Sequence, residues 1–441
     1  MLRYYTRLAM KSFARNPGMT ALMVGAIAIG IAVCIVSLTV FHAMSGNPMW
    51  WKDDKLYAVG IDFGDPRQPL NFKHPTYPPQ QLTYRDGAYL AHSAIPTRSA
   101  LLYRQKSVVI GGASGQRPMP IMSLATTADF FSMFETPFQY GGGWSRGMDH
   151  SLEPVIVLSR ALNDRLFGGV NSVGRTVRWN DLQLRIVGVL DSWRPIPKFY
   201  ALQEGAFDAP EDAFVPLAVL LARQVRAEGG FFSCWQMPDT TSFAAFLNSE
   251  CNWVYLWVEL PTAASRERMQ SLLDNYWAEQ HKLGRFLRPR NNQLTRISAY
   301  LRREEAVPND NRVLVVLAFT FFAVCLINTA GLLLAKFLGR ASISGIRRAL
   351  GASRRDLVMQ HLCEAGVLSG AAALLGLALG AVGLWLVRAA YSAGGYHELA
   401  HFDPSSVAWT LALALISAVV AGLYPALRVG RLAPGPYLRN Q

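Results

Sequence analysis

The sequence predicts an α-helical membrane protein with four spans in a one-plus-three arrangement and a large extramembrane α+β domain of two subdomains. Three observations predict this class. Four apolar stretches reach the roughly 20 residues needed to cross a bilayer: Met19–Met44, Val313–Leu338, Leu362–Val387 and Val407–Leu427. Roughly 270 largely polar residues separate the first stretch from the second. Basic residues crowd the two chain ends and the loop between the second and third stretches.

Those basic residues set the expected orientation. Arg3, Arg7, Lys11 and Arg15 precede the first span. Lys336, Arg340, Arg347, Arg348, Arg354 and Arg355 lie around the second loop, and Arg428, Arg431 and Arg439 follow the fourth span. The loop between spans three and four holds only Glu398, Asp403, His397 and His401. Positively charged loops stay on the cytoplasmic side, so both termini and the 339–358 loop are expected there. The domain 45–311 then lies outside, in the periplasm of a two-membrane host. The thirteen basic residues oppose only Asp356 and account for nearly the whole formal net charge of +13. A basic chain often suggests nucleic acid as a partner; here the charge is a topology signal, and no nucleic-acid partner is expected.

Taken in order, residues 1–18 read as a cytoplasmic amphipathic helix. Leu2, Tyr5, Leu8, Ala9, Ser12 and Phe13 share one face, with the four basic residues turned away, and Asn16-Pro17-Gly18 ends the segment. Contact with membrane lipid follows from that pattern. The apolar stretch after it is too long for a secretory signal and has no clean cleavage site, so 19–44 is a retained anchor. In the domain 45–311, a first part (about 45–150 with 250–311) is expected near the membrane exits, and an insert (about 151–250) further away. Leu56–Ile61 and Ser99–Ile110 read as strands and Pro79–Ala91 as a helix. Trp253–Leu260 reads as a strand, Thr262–His281 as a helix and Asn292–Leu301 as a further strand. The insert has strands at Val155–Leu158 and Leu184–Leu190 and a helix at Arg160–Phe167. Then follow a span in 312–338, the cytoplasmic loop 339–358, a span in 359–390, a short outer loop 391–404, a span in 405–427 and a cytoplasmic tail 428–441.

Of five cysteines, Cys34, Cys325 and Cys363 fall in spans, whereas Cys234 and Cys251 lie 17 positions apart in the outer domain. Oxidising compartments permit disulfides, so these two are expected to pair; two buried free thiols are the alternative.

Catalytic patterns are sparse. No Gly-Lys dipeptide occurs, which excludes a P-loop, and no G-x-S-x-G elbow is present. The glycines of 111–115 precede no helix and read as a loop. His397-Glu398-Leu399-Ala400-His401 matches the zinc-hydrolase pattern H-E-x-x-H, which sets two imidazoles and a glutamate base on one helix face. Gly394-Gly395 before it and Asp403-Pro404 after it leave barely one helical turn, so an outward polar loop is expected, with no metal ligand and no catalytic residue. A membrane zinc metalloprotease remains the remote alternative.

The most specific signal surrounds the second loop. Cys325 to Lys336 closes the second span; Gly345-Ile346-Arg347-Arg348-Ala349-Leu350-Gly351-Ala352 follows, and Gln360 and Glu364 open the third. The tail carries Gly422-Leu423-Tyr424-Pro425-Ala426-Leu427-Arg428 with Pro434 and Leu438-Arg439. This chain resembles the FtsX-like permease family, the transmembrane subunits of ABC transporters that include MacB exporters. In the outer domain Thr127–Phe131, Pro154–Leu158, Arg165–Gly168, Val173-Gly174 and Ile186–Val189 resemble the MacB-type periplasmic core. The resemblance implies a non-catalytic inner-membrane permease working as a dimer, with ATP bound and hydrolysed by a separate cytoplasmic ABC ATPase. It implies motion transmitted to a periplasmic head, export through an adaptor and an outer-membrane channel, and no cofactor in this chain. Within the family, lipoprotein extraction or regulation of a cell-wall hydrolase is the alternative. It also marks 345–352 as the ATPase-coupling segment; a short basic helix on the ATP side suits docking into a partner's groove. One departure stands out: the family's acidic residue two positions before the opening glycine is replaced here by Ile343-Ser344. That loss favours pairing with a related permease, with a homodimer as the alternative.

Overall fold

A computed structural model describes residues 5, 8–9, 12–13, 16–65, 67, 69, 75–111, 117–230, 232–236, 242–306, 309–339, 346, 351, 353–390 and 404–430. The chain forms two compact units, Gly46–Ala306 and the combination of Met1–Ser45 with Val307–Gln441.

In the second of these, four helices among the described residues are long and apolar enough to span a membrane: Pro17–Ser45, Asn309–Leu338, Arg354–Ala390 and Pro404–Gly430. Three extend past both ends of the stretch read from composition, and the second extends only at its start, because helical hydrogen bonding continues into flanking residues. The first span packs against the second and third, and the fourth against the third and second. Ile27, Ile31, Ile35, Phe322, Leu333, Leu368 and Leu413 fill the contact. Small residues let the backbones approach: a Cβ added at Gly422 would stand 2.5 Å from Ala365 Cβ. The outward faces carry exposed Leu22, Ile29, Val313, Val316, Leu374, Trp385, Leu411 and Leu415, the apolar rim that a bilayer covers.

Gly46–Ala306 is built on a twelve-stranded sheet. Its path runs β12 (Gln293–Arg296), β1 (Leu56–Gly60), β11 (Cys251–Glu259), β3 (Arg98–Ile110), β4 (Met119–Thr126), β9 (Ala213–Pro216), β6 (Val155–Leu158), β8 (Leu182–Leu190) and β5 (Phe138–Gly141). β2 (Leu82–Thr83) and β10 (Ser233–Cys234) pair with β11. β7 (Thr176–Trp179) pairs with both β3 and β8. That double pairing closes β3-β4-β9-β6-β8-β7 into a six-stranded ring, in which each strand has a neighbour on both sides over part of its length. All nine residues of β11 are buried, as expected of a strand covered on both faces.

The period-two alternation of each strand sorts its residues into two cores. Tyr57, Val59, Leu101, Tyr103, Ile156, Leu158, Leu256 and Val258 belong to one, which lines the ring and continues beneath the helices Tyr84–Ala91 and Ala263–Lys282. Leu56, Ala58, Ala100, Leu102, Val155, Val157, Tyr255 and Trp257 belong to the other. There Phe130 packs edge-on against Phe134 and Tyr200, and Phe199 edge-on against the same two rings, with centroids 4.9–5.7 Å apart. Inside the ring, fully buried Trp179 donates its indole N–H to Ser123 Oγ at 2.9 Å, and Ser123 lies 2.7 Å from Ser107 Oγ. The sheet therefore continues from the segments read as membrane-proximal into the one read as an insert. The strand β5, placed before the boundary at 150, pairs with β8 beyond it.

Two sequence readings need correction. The helix expected over Pro79–Ala91 begins only at Tyr84, because Leu82–Thr83 pair with β11 and the Thr83 hydroxyl caps the helix by accepting from Asp86 N. The strand expected over Asn292–Leu301 ends at Arg296, opposite Tyr57. The chain then turns into the helix Ile297–Arg303, whose first turn is capped from outside: Ser298 N and Oγ donate to Asp53 Oδ1 and Oδ2 at 2.7 and 2.6 Å.

Candidate functional site

In the predicted coupling segment, Gly345, Arg347, Arg348, Ala349, Leu350 and Ala352 lie outside the described residues. Ile346 is helical and exposed. Gly351 sits in a turn with φ +99°, and among the described residues no atom lies within 4 Å of where its Cβ would be. Its backbone conformation is one that favours glycine. After the turn, Ser353 and Asp356 cap the third span: Asp356 N donates to Ser353 Oγ at 3.2 Å, and Ser353 Oγ donates to Asp356 Oδ2 at 2.6 Å. His397, Glu398 and His401 also lie outside the described residues, as do Ile343 and Ser344.

The helices flanking the coupling segment meet in a buried polar cluster. Lys336, two positions before the end of the second span, places Nζ 2.6 Å from Glu364 Oε1 on the third. Their side chains are 1% and 5% exposed. Ser12 Oγ donates to the same carboxylate oxygen, and Lys336 Nζ lies 4.6 Å from the centroid of the Phe13 ring. Beside them, Phe337, next to Lys336, and His361, three positions before Glu364, bring their rings to 4.0 Å. Tyr5, Leu8, Ala9, Ser12 and Phe13 are helical, and Ala9 and Ser12 are buried. Leu2 and the four basic residues of that segment lie outside the described residues. In the sequence Lys336 reads as a topology charge and as the end of the family-like run from Cys325, and Glu364 as part of the opening of the third span; neither reading pairs them. A carboxylate inside one apolar stretch and a lysine near the end of another was the available signal, since ionisable residues in spans are rare and usually paired.

In the outer domain, entry and exit of the chain are knotted together. β1 and β12 pair, Asp53 caps the exit helix, and Asn47 Nδ2 donates to Asp53 Oδ1 at 2.8 Å. Cys234 and Cys251 stand opposite each other on β10 and β11 and are disulfide-bonded.

A cavity of about 650 Å³ opens between the helices Tyr84–Ala91, Arg146–His150 and Leu217–Ala222. Its apolar side includes Tyr84, Leu101 and Leu217, and its polar side Asp129, Arg146 and Asp149. Arg146 grips Asp129 through two hydrogen bonds of 2.6 Å. Asp149 accepts from Ala128 N at 2.7 Å and from Trp144 Nε1 at 2.9 Å. Burial pushes its carboxyl up to about 6, and the nearby Asp129 carboxylate adds to that rise.

Residues 20–276 match the MacB-like periplasmic core domain, and residues 315–434 match the FtsX-like permease C-terminal domain. A macrolide export ATP-binding/permease protein MacB from Rhodopirellula baltica is 24% identical over 79% of this chain and 49% of its own length. A pyoverdine export ATP-binding/permease protein PvdT from Pseudomonas aeruginosa is 23% identical over 71% of this chain and 41% of its own. The chain spans about half the length, or less, of the curated relatives it matches. The crystal structure of the periplasmic region of MacB from Actinobacillus actinomycetemcomitans aligns with a TM-score of 0.36 and 11% identity, covering 61% of this chain and 97% of that one.

Proposed function

This chain belongs to the MacB/FtsX-type family of ABC transporter permeases, and on that premise we propose that it is the non-catalytic permease of an ATP-driven exporter. A separate cytoplasmic ATPase binds and hydrolyses ATP, engaging the segment Gly345–Ala352. Both termini face the cytoplasm, and the domain Gly46–Ala306 stands in the periplasm. Two permeases form the working dimer, the second being a related chain rather than an identical one. The motion moves a periplasmic substrate through an adaptor and an outer-membrane channel.

The observation that supports this reading best is the pair of family matches in one chain, in the order 20–276 then 315–434, on a one-plus-three arrangement of spans. The relatives' names add export of a macrolide or of pyoverdine by those proteins. The absence of any Gly-Lys dipeptide supports a division of labour in which ATP is handled elsewhere.

Purified chain in lipid nanodiscs is expected to hydrolyse no ATP alone and to stimulate turnover by the ATPase that co-purifies with it from native cells. Appreciable turnover by the chain alone would overturn the reading. Co-purification tests the dimer as well: two copies of this chain with no second permease would remove the heterodimer.

A further inference from the structure

An ion pair inside a membrane unit is an expensive contact. Desolvating two charges cancels most of their attraction, and an apolar pair of the same volume is often at least as stable. What the charges supply instead is registry. Two apolar helix faces can slip past each other with small loss, whereas a short, directional contact holds one relative position.

The Lys336–Glu364 pair sits where registry matters. Lys336 is near the end of the second span, and Glu364 is ten positions into the helix that starts at Arg354. The residues between those helices include the segment read above as the ATPase contact. The pair therefore ties together the two helices that receive any push on that segment. Ser12 bonds to the same carboxylate oxygen and Phe13 lies against the lysine, so the N-terminal helical segment is held by the same knot. The neighbouring contact, Phe337 on His361, is a ring contact with little directional constraint of its own.

We propose that Lys336 and Glu364, with Ser12, are positioning residues that force the second span, the third span and the N-terminal segment to move as one when the contact segment is displaced. The inference rests on the reading of Gly345–Ala352 as the ATPase contact.

The test uses the full chain in nanodiscs with its co-purifying ATPase, measuring both ATPase affinity and permease-stimulated ATP turnover. Three variants are compared: Glu364→Gln, the apolar double Lys336→Met/Glu364→Leu, and the reversed pair Lys336→Glu/Glu364→Lys. Glu364→Gln and the apolar double are expected to bind the ATPase within about threefold of wild type yet lose about tenfold in stimulated turnover, a typical size for energetic coupling between sites. The reversed pair is expected to recover at least about half of that turnover, because it restores a directional contact. If Glu364→Gln fails to insert, the apolar double still decides the matter, since it leaves no uncompensated buried charge. An apolar double with full stimulated turnover overturns the proposal, as does a reversed pair no better than the apolar double. Failure of the wild-type chain to bind or stimulate the ATPase overturns the underlying reading instead, and that arm is scored before any variant.

Discussion

Asp149 offers the sharpest pH test of the outer domain. Its carboxyl rises from the ordinary value near 3.8 to about 6, because burial beside the cavity disfavours the charged form more than the Ala128 and Trp144 N–H groups favour it. The folded state therefore holds a proton on Asp149 that the unfolded state has released between about pH 4 and 6. Where the folded state binds more protons, stability falls as pH rises. The domain is most stabilised by this group below pH 4, loses that advantage through the window, and is flat above about 7. At 1.36 kcal/mol per unit, the rise corresponds to at most about 3 kcal/mol. Asn at 149 keeps the size and one acceptor but does not titrate. The difference in unfolding free energy between wild type and Asp149→Asn should change by at most about 2.4 kcal/mol from pH 4 to 7.5, because the unfolded carboxyl is already more than half ionised at pH 4. Urea unfolding of the full chain in detergent, at a series of pH values, measures it. Trp144 gives a local reporter: its fluorescence should titrate with a midpoint near 6 in wild type and lose that transition in the Asn variant. A midpoint near 4, or a pH-independent difference, refutes the argument.

Other expectations follow from the same structure. Replacing Cys234 and Cys251 by Ser removes a crosslink closing 17 positions and should cost about 3 kcal/mol by the loop-entropy relation; protease nicking between residues 223 and 250 under non-denaturing conditions reads it, and unchanged protection would count against the estimate. Trp179→Ala empties the middle of the closed ring and should destabilise the outer domain by about 3–5 kcal/mol, measured by urea unfolding. Replacing Arg347, Arg348 and Leu350 together should leave insertion intact and abolish ATPase binding in pull-downs. Gly351→Val should behave similarly, because φ +99° at this turn is strained for any β-branched residue; normal transport by either variant moves the contact elsewhere.

What could be read from sequence divides along physical lines. The spans were legible because a bilayer imposes length and polarity residue by residue, and the helix Arg160–Phe167 because Ser159 and the 3.6 period mark it locally. The strand β11 was legible from its Val, Tyr and Trp content. The strand β7, which closes the ring, was missed: four residues with Trp179 facing inward give no signal until β3 and β8 are both beside them. The helix start at Tyr84 was misplaced because pairing of Leu82 with Val254, far along the chain, overrides the local pattern. Lys336 and Glu364 were each visible, but their contact depends on how two helices and the N-terminal segment rotate against one another.

The strand β3 gives the outer domain a mechanical character. Its thirteen residues, at about 3.3 Å each, make a beam roughly 40 Å long. One end is fastened to β11 from Arg98 to Leu102, and the other to β7 at Val109 and Ile110. Its register with β4 runs unbroken from Leu102 opposite Thr126 to Val109 opposite Met119. Bending the domain between the open sheet and the ring would mean breaking ladder hydrogen bonds in the middle of that beam, where no loop is available to act as a hinge. A rotation imposed at the β1–β12 edge would therefore turn the open sheet and the ring together, as one stiff piece.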